Sequence, residues 1–143
     1  MKLKKLYHVG IPVDDIDRAR KFYTQVLGLE FLERVGGNPN SPDAVKIHGK
    51  VARLDRLRCG NDDVVLFERP QPLQRDALDQ DGIMHQAFDM DWEDYEDALE
   101  AATNTGRLHR TVERRSGKTI YLFDTEGNYL ELHFPAPTGK PAP

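Results

Sequence analysis

Apolar residues recur along the chain in two periods, every second position in some segments and every third or fourth in others. The segment "LYHVGIPV", from Leu6 to Val13, alternates like a strand, and the segment that follows to Gly28 has helical spacing after a capping aspartate. A strand "LEFLERV" comes next, followed by a polar loop from Gly36 to Ala44. The segments "KVARLDRLRC" and "DVVLFER" then predict a hairpin, which completes the order βαβββ.

The same order occurs a second time. It comprises a strand "IMHQAFDM", a helix that ends at Gly106, a strand "LHRTVER" and a hairpin "IYLFDTEGNYLELHF". The gap from His8 to Gly28 is 20 residues and that from His85 to Gly106 is 21, which indicates an internal duplication. The sequence therefore predicts an α+β domain built from two βαβββ modules. Its expected parts are module one at about 4–70, a linker at about 71–81, module two at about 82–135 and a mobile tail at 136–143.

Composition narrows the class of protein. The chain has 143 residues, of which 38% are hydrophobic, enough for one ordinary globular interior. It has no apolar run of the roughly 20 residues that cross a bilayer. Its net charge of -4 comes from interspersed acids and bases, so no nucleic-acid footprint is visible, and Cys59 is its single cysteine. We expect a soluble cytoplasmic protein that acts on a small molecule and binds neither nucleic acid nor membrane.

Three chemically unusual residues lie in strands of the two modules. Because side chains alternate across a strand, His8, His85 and Glu131 fall on the faces turned away from the apolar residues that the helices cover. Such faces can be solvated, but Gly10 and Ala87 beside the histidines favour a lined cavity. Two imidazoles and one carboxylate suit one divalent metal ion with open positions, whether Fe, Mn, Zn or Ni.

The segments "YHVGIPVDDIDRARKFYTQVLGLEF" and "FDTEGNYLELH" resemble the vicinal oxygen chelate superfamily over residues 5 to 135. This superfamily includes glyoxalase I, fosfomycin-resistance enzymes, extradiol dioxygenases and bleomycin-binding proteins. The resemblance implies a U-shaped mixed sheet around a metal-binding cavity, with the helices on the outer face. It also implies that His8, His85 and Glu131 are metal ligands, because family members place ligands on the first and last strands of each module.

The position of a fourth ligand departs from the pattern of the glyoxalases. Counting back from Pro70 and Pro135 sets Leu66 opposite Glu131 and Glu68 opposite His133. The simplest count is therefore three ligands, while Glu68 stays open as a fourth ligand or a substrate contact.

The second module is most similar in pattern to the fosfomycin enzymes. Thr119 and Tyr121 match a serine and a tyrosine that contact the phosphonate in those enzymes. However, Gly10 stands where they have a threonine, and Thr111 replaces a phosphonate-binding lysine. Fosfomycin itself is therefore not expected to be the substrate.

Other side chains are candidates by position alone. Arg114 or Arg115 could take the place of the missing lysine in binding substrate. Tyr121 is the first candidate for a donor beside the metal, and His133 and Tyr129 are further candidates for acid and base groups if the chain is a ring-cleaving dioxygenase.

Two functions from different classes remain open. The first is a metal-dependent enzyme with dioxygenase, thiol transferase, or lyase and isomerase chemistry. The second is a metal-free protein that sequesters a small ligand, as bleomycin-binding relatives do. Paired modules often form homodimers, so His8 could join His85 and Glu131 within one chain or across two.

Overall fold

The computed structural model describes residues 1–42, 44, 46–47, 49–69 and 85–137. The predicted linker at 71–81 and the tail residues 138–143 lie outside these ranges. The chain divides into two compact units, Met1–Gln74 (unit 1) and Arg75–Pro143 (unit 2). None of the helices in the described ranges has the length and apolar character needed to cross a membrane.

Unit 1 contains one four-stranded mixed sheet and one helix. The order in the sheet is β1-β6-β5-β2, with β1 parallel to β6 and the other pairs antiparallel. A two-stranded ribbon, β3 with β4, precedes β5. The elements are β1 (Val9–Val13), α1 (Ile16–Lys21), β2 (Glu30–Gly36), β3 (Lys46–Ile47), β4 (Lys50–Val51), β5 (Arg53–Cys59) and β6 (Asp62–Glu68).

Unit 2 repeats this arrangement. Its sheet has the order β7-β10-β9-β8, again with one parallel pair, β7 with β10. The elements are β7 (Gln86–Asp89), α2 (Tyr95–Asn104), β8 (Leu108–Arg114), β9 (Gly117–Phe123) and β10 (Tyr129–Pro135). The α+β class and the duplicated βαβββ order predicted from the sequence are therefore confirmed.

The two helices begin and end largely as the sequence indicates. The side chain of Asp15 caps α1 by accepting a hydrogen bond of 3.0 Å from the backbone N–H of Arg18. The helix then widens into a π-helical turn over Phe22–Val26. Gly28 after α1 and Gly106 after α2 have φ values of +77° and +70°, which favour glycine and stop each helix.

Strand β1 is shorter than predicted. It begins at Val9, three residues after the expected start at Leu6. His8 therefore lies immediately before β1 rather than inside it.

The core of unit 1 forms where α1 packs on β5 and β6. Ile11 and Val13 of β1 and Leu66 of β6 are completely buried on the side of the sheet that α1 covers. Full burial of a side chain of this kind contributes about 1.5–3 kcal/mol. This apolar layer fixes which face of the sheet is left for other chemistry.

A buried carboxylate connects three elements on the helix side of unit 1. Asp55 of β5 is fully buried and accepts two hydrogen bonds from Arg20 of α1, at 2.8 and 3.1 Å. It accepts two more from Arg34 of β2, at 2.7 and 3.1 Å, and Arg34 also binds Asp17 at 2.8 Å. Charge-assisted, bidentate geometry of this kind is strong and directional. Asp55 therefore fixes α1 and the edge strand β2 to the centre of the sheet.

We predict that Asp55→Asn lowers the free energy of unfolding by about 3–5 kcal/mol, because it leaves two arginines without their buried partner. Asp62→Asn is the matched control, since Asp62 lies on β6 of the same sheet and is exposed. Urea unfolding of both variants measures the difference. A loss below about 1 kcal/mol for Asp55→Asn would show that the network is dispensable.

Acid should selectively weaken the same network. Burial raises the pKa of Asp55, but hydrogen bonds from Arg34 and Arg20 outweigh it, so this pKa lies below its usual value. The Asp55 carboxylate therefore binds a proton more readily in the unfolded chain than in the folded protein. Its stabilisation of the fold is complete above about pH 4 and falls as the pH drops through the folded pKa. We predict that the stability difference between the unsubstituted protein and Asp55→Asn shrinks below pH 4, as measured by urea unfolding at stepped pH. A difference independent of pH down to pH 2 would contradict this account.

Candidate functional site

Strand β10 divides its side chains between two faces of unit 2. Leu130, Leu132 and Phe134 are buried on the helix side, where Phe134 meets Tyr95 of α2 edge to face at 5.2 Å. Tyr129, Glu131 and His133 therefore lie on the opposite face, which we call the open face. The alternation places Glu131 away from the leucines that flank it in sequence.

The strand register brings several sequence-predicted residues together on this open face. Glu131 is paired with Ala87 of β7 on one side and with Tyr121 of β9 on the other. One step further along, His133 is paired with Asp89 and Thr119. His133 Nδ1 lies 3.3 Å from Asp89 Oδ1, so the carboxylate can orient the imidazole.

His85 lies immediately before β7 and is half-buried against two tyrosines of the open face. Its ring is 6.4 Å from that of Tyr121 and 5.9 Å from that of Tyr129, in both cases edge on. The two tyrosine rings are stacked 5.4 Å apart with an interplanar angle of 10°. Because His85 precedes Ala87 by two residues, its Cα is a diagonal neighbour of that of Glu131, about 8 Å away by strand geometry.

Two further residues reach the open face through an irregularity that the alternation pattern could not show. The register between β8 and β9 shifts between Leu108 and Arg110, so the intervening His109 is a β-bulge. The His109 ring contacts those of Phe123 and Tyr129 at 5.6 and 5.5 Å. The sequence pattern assigned neither His109 nor Arg110 to the site.

Arg110 places a cation beside this aromatic cluster. Its guanidinium carbon lies 5.1 Å from the centroid of the Tyr121 ring, and its positive charge acts to lower the pKa of Tyr129. Burial raises the pKa of Tyr129, and Tyr121 and Glu131 act in the same direction against the opposing effect of Arg110. At neutral pH the Tyr129 hydroxyl therefore keeps its proton and can donate a hydrogen bond.

The other arginine candidates in unit 2 lie farther along β8 from this cluster, and His8 belongs to unit 1. Arg114 is paired with Gly117 at the far end of β8 and is exposed, and Arg115 is an exposed turn residue. His8, in unit 1, is exposed and its ring lies 5.3 Å from that of Tyr7 and 6.2 Å from that of Phe67.

The register of unit 1 corrects the expected counterpart of Glu131. Gly10, two residues after His8, is paired with Val65, just as Ala87, two residues after His85, is paired with Glu131. The counterpart is therefore Val65 and not Leu66. Alignment of the two units from their prolines gave the wrong counterpart because pairing with the first strand, and not the proline, sets the register of the last strand. A shift of one residue in this register moves a side chain to the opposite face of the sheet.

Glu68 is consequently on the wrong face for a fourth ligand. It has the parity of Leu66, which is buried on the helix side, and it forms an ion pair with Arg53 there. Arg53 Nε donates to Glu68 Oε2 at 2.7 Å. Glu68 thus contributes to the helix side of unit 1 and not to the face that corresponds to the open face of unit 2.

That corresponding face of unit 1 carries a network of ion pairs in addition to the ring of Phe67. Arg56, opposite Val65, lies 3.3 Å from both Glu33 and Asp63, and Arg58 lies 2.8 Å from Asp63. Its cations and carboxylates therefore neutralise one another within the sheet.

No group of three or more His, Cys, Asp or Glu side chains placed to hold a metal ion occurs among residues 1–42, 44, 46–47, 49–69 and 85–137. Unit 2 contributes the neighbouring pair His85 and Glu131, and His8 belongs to unit 1. Two of the three predicted metal ligands are therefore neighbours within one unit.

Comparison with known proteins identifies relatives by fold. A mutant FosX fosfomycin resistance protein from Listeria monocytogenes, crystallised with Mn(II) and 1S,2S-dihydroxypropylphosphonic acid, is 18% identical with a TM-score of 0.72, and the match covers 94% of this chain and 95% of that one. FosX from Mesorhizobium loti is 20% identical with a TM-score of 0.66, covering 96% of each chain. A glyoxylase/bleomycin resistance protein/dioxygenase domain from Frankia sp. EAN1pec is 21% identical with a TM-score of 0.72, covering 97% of this chain and 96% of that one.

Comparison with curated protein sequences finds no significant match. The sequence profile of the glyoxalase/bleomycin resistance protein/dioxygenase superfamily, in contrast, matches residues 5–132. This match spans both βαβββ units, in agreement with the fold. The chain belongs to the glyoxalase/bleomycin resistance protein/dioxygenase superfamily.

Proposed function

We propose that this chain is a divalent-metal-dependent enzyme that acts on a small substrate through two of the substrate's oxygen atoms. The observation that carries the proposal is the diagonal placement of His85 and Glu131 on adjacent strands of the open face. His8 supplies the third ligand, either from the same chain or from a second copy in a homodimer.

The donor set fits a divalent ion of the transition series. Imidazole nitrogen and carboxylate oxygen are ligands that Mn, Fe, Ni and Zn share, and three protein ligands leave coordination positions for a substrate. The side chains of His85 and Glu131 are long enough to converge on one ion across their separation of about 8 Å. When bound, the ion would supply Lewis acidity toward the substrate oxygens.

The side chains around this pair have roles that follow from their positions. The tyrosine stack holds the His85 ring at a fixed angle, which limits the rotation of a ligand that would otherwise be mobile. Tyr121 is opposite Glu131 and can donate its hydroxyl proton to a substrate oxygen held there. Thr119 and His133 are paired two residues further along β9 and β10 on the same face, where Asp89 orients His133.

The choice of metal and reaction is guided by the fosfomycin enzymes. The Listeria relative was crystallised with Mn(II), so manganese is the first metal to test. Addition, isomerisation and proton transfer need only Lewis acidity, whereas dioxygenase chemistry at a site of two histidines and one carboxylate is typical of Fe(II). We favour the first group of reactions for this chain. Gly10 and Thr111, which replace a threonine and a lysine of the fosfomycin enzymes, argue for a substrate other than fosfomycin.

A second candidate function is supported by the aromatic cluster. Tyr121, Tyr129, Phe123 and the ring of His109 would form a platform for a planar ligand without any metal. This corresponds to a binding protein of the bleomycin-resistance type. The adjacent donors His85 and Glu131 favour the enzyme, because a sequestering platform has no need of them.

We predict that the protein, purified without chelator, binds Mn(II) at one site per chain. Since loss of a residue that only supports a ligand costs 10–100-fold in affinity, removal of a ligand in His85→Ala or Glu131→Gln should cost about 100-fold or more. Isothermal titration calorimetry with Mn(II) measures these affinities. His8→Ala is expected to have a similar effect.

Glu113→Gln is the matched control for Glu131→Gln, because Glu113 is an exposed glutamate of the same sheet and lies on the helix side of β8. It should bind Mn(II) as the unsubstituted protein does. If Mn(II), Fe(II), Ni(II) and Zn(II) all fail to bind the unsubstituted protein, the enzyme proposal is wrong and the sequestering function stands.

A further inference from the structure

Unit 1 has a cavity of about 280 Å³ at one end of its sheet. Its lining consists of Lys50 and Val51 of β4, Ala52, Glu68 at the end of β6 and the adjacent Arg69. This volume is close to the lower end of the range for small-molecule sites, roughly 300–1,000 Å³. The cavity therefore has room for a small ligand, and its lining contains none of the three proposed metal ligands.

Backbone hydrogen bonds fix the walls of this cavity. The N–H of Arg69 donates to the carbonyl of Val13 at 2.9 Å, which holds the chain directly after β6 against β1. The carbonyl of Ala52 accepts a hydrogen bond of 3.2 Å from the N–H of Gly37. Gly36 has a φ of +85°, and a Cβ there would overlap the Ala52 carbonyl oxygen, so glycine permits this close approach. The lining is thus held in place before any ligand binds.

Two cations of the lining have no carboxylate partner in the part of the chain that the structure describes. Arg69 is half-buried, and its Nε is buried without a hydrogen-bond partner there. The exposed ammonium of Lys50 forms no ion pair with any described residue. A buried donor without an acceptor is costly, so an acceptor that enters the cavity with a ligand would be bound favourably.

The carboxylate of the lining is already neutralised. Both oxygens of Glu68 accept hydrogen bonds from Arg53, Oε2 from Nε at 2.7 Å and Oε1 from Nη2. The Arg53–Glu68 pair therefore adds no net charge, and the lining keeps the two positive charges of Lys50 and Arg69. Two positive charges at one small cavity suit a dianion better than a monoanion.

We propose that this cavity is a second ligand site, which binds the phosphate group of inorganic phosphate or of a small phosphate monoester. A guanidinium can bind two phosphate oxygens at once, and an ammonium contacts phosphate as a point charge. Val51 and Ala52 provide an apolar wall against which the carbon atoms of a monoester can pack. The inference does not depend on the proposed function, because no proposed metal ligand belongs to this site.

Isothermal titration calorimetry of the full chain with inorganic phosphate, glycerol 3-phosphate and glycerol tests the site. Both phosphates should bind at one site per chain, and glycerol, which lacks the anion, should not bind. Tighter binding of glycerol 3-phosphate than of inorganic phosphate assigns the site to a monoester, and any other order assigns it to the free anion.

Substitution of the two cations locates the bound phosphate. Lys50→Gln and Arg69→Gln should each weaken the binding of glycerol 3-phosphate about tenfold, because each removes a charge-assisted contact. Arg69→Lys should keep part of the affinity because the charge remains. Lys21→Gln is the matched control, since Lys21 is an exposed lysine of unit 1 at the end of α1, outside the cavity lining, and it should bind as the unsubstituted protein does.

Substitution of the carboxylate should have the opposite effect. Glu68→Gln releases the Arg53 guanidinium from its partner and removes a negative charge from the lining, so phosphate should bind about threefold more tightly. An increase in affinity cannot arise from a variant that has merely lost its fold. Thermal unfolding shows whether each weakened variant is folded.

Three results would contradict the inference. It is wrong if neither phosphate binds the unsubstituted protein. It is also wrong if folded Lys50→Gln and Arg69→Gln both bind phosphate as the unsubstituted protein does, because the anion then lies elsewhere. His85→Ala removes a ligand of the proposed metal site and should leave phosphate binding unchanged. Loss of phosphate binding in this variant would place the anion at that metal site, which would overturn the inference and leave the proposed function intact.

Discussion

Burial of one face of each sheet under its helix is the constraint on which the rest of this protein depends. Because strand side chains alternate, burial of Leu130, Leu132 and Phe134 leaves Glu131 and His133 no position except the other face. The same constraint in unit 1 buries Ile11, Val13 and Leu66. A polar site can therefore be built on these sheets without reducing the apolar core, since the two sets of side chains occupy different faces.

Much of this arrangement could be predicted from alternation alone. Hydrophobic patterns identified eight of the strands, and glycine after each helix marked the ends of α1 and α2. The faces of Glu131, Thr119, Tyr121 and Tyr129 also followed, because β9 and β10 are regular strands with one buried side. The order of strands and helices was also predictable, because apolar residues recur every second position in the strands and every third or fourth in the helices.

The sequence predictions were wrong where the register between paired strands, and not the hydrophobic period, determines which residues lie opposite one another. Leu66 was predicted in place of Val65 because Val65 precedes Pro70 by five residues whereas Glu131 precedes Pro135 by four, and no local pattern records that difference. Arg110 and His109 were missed because a β-bulge inserts a residue without changing the composition of the strand. Hydrogen bonding between strands that are distant in sequence fixes both the register and the bulge. Neither feature can therefore be predicted from the sequence of a single strand.

The duplication extends to the irregularities. Unit 1 has a register shift between Phe31 and Glu33 at the place where unit 2 has its shift between Leu108 and Arg110. Leu32 thus occupies the place of His109 on an equivalent backbone. The two halves share a scaffold and differ in the side chains that it displays, so the same backbone can present different chemical groups in each half. Such a scaffold can evolve one half while the other preserves the fold, which gives a descendant of this chain a second surface on which a new activity could begin.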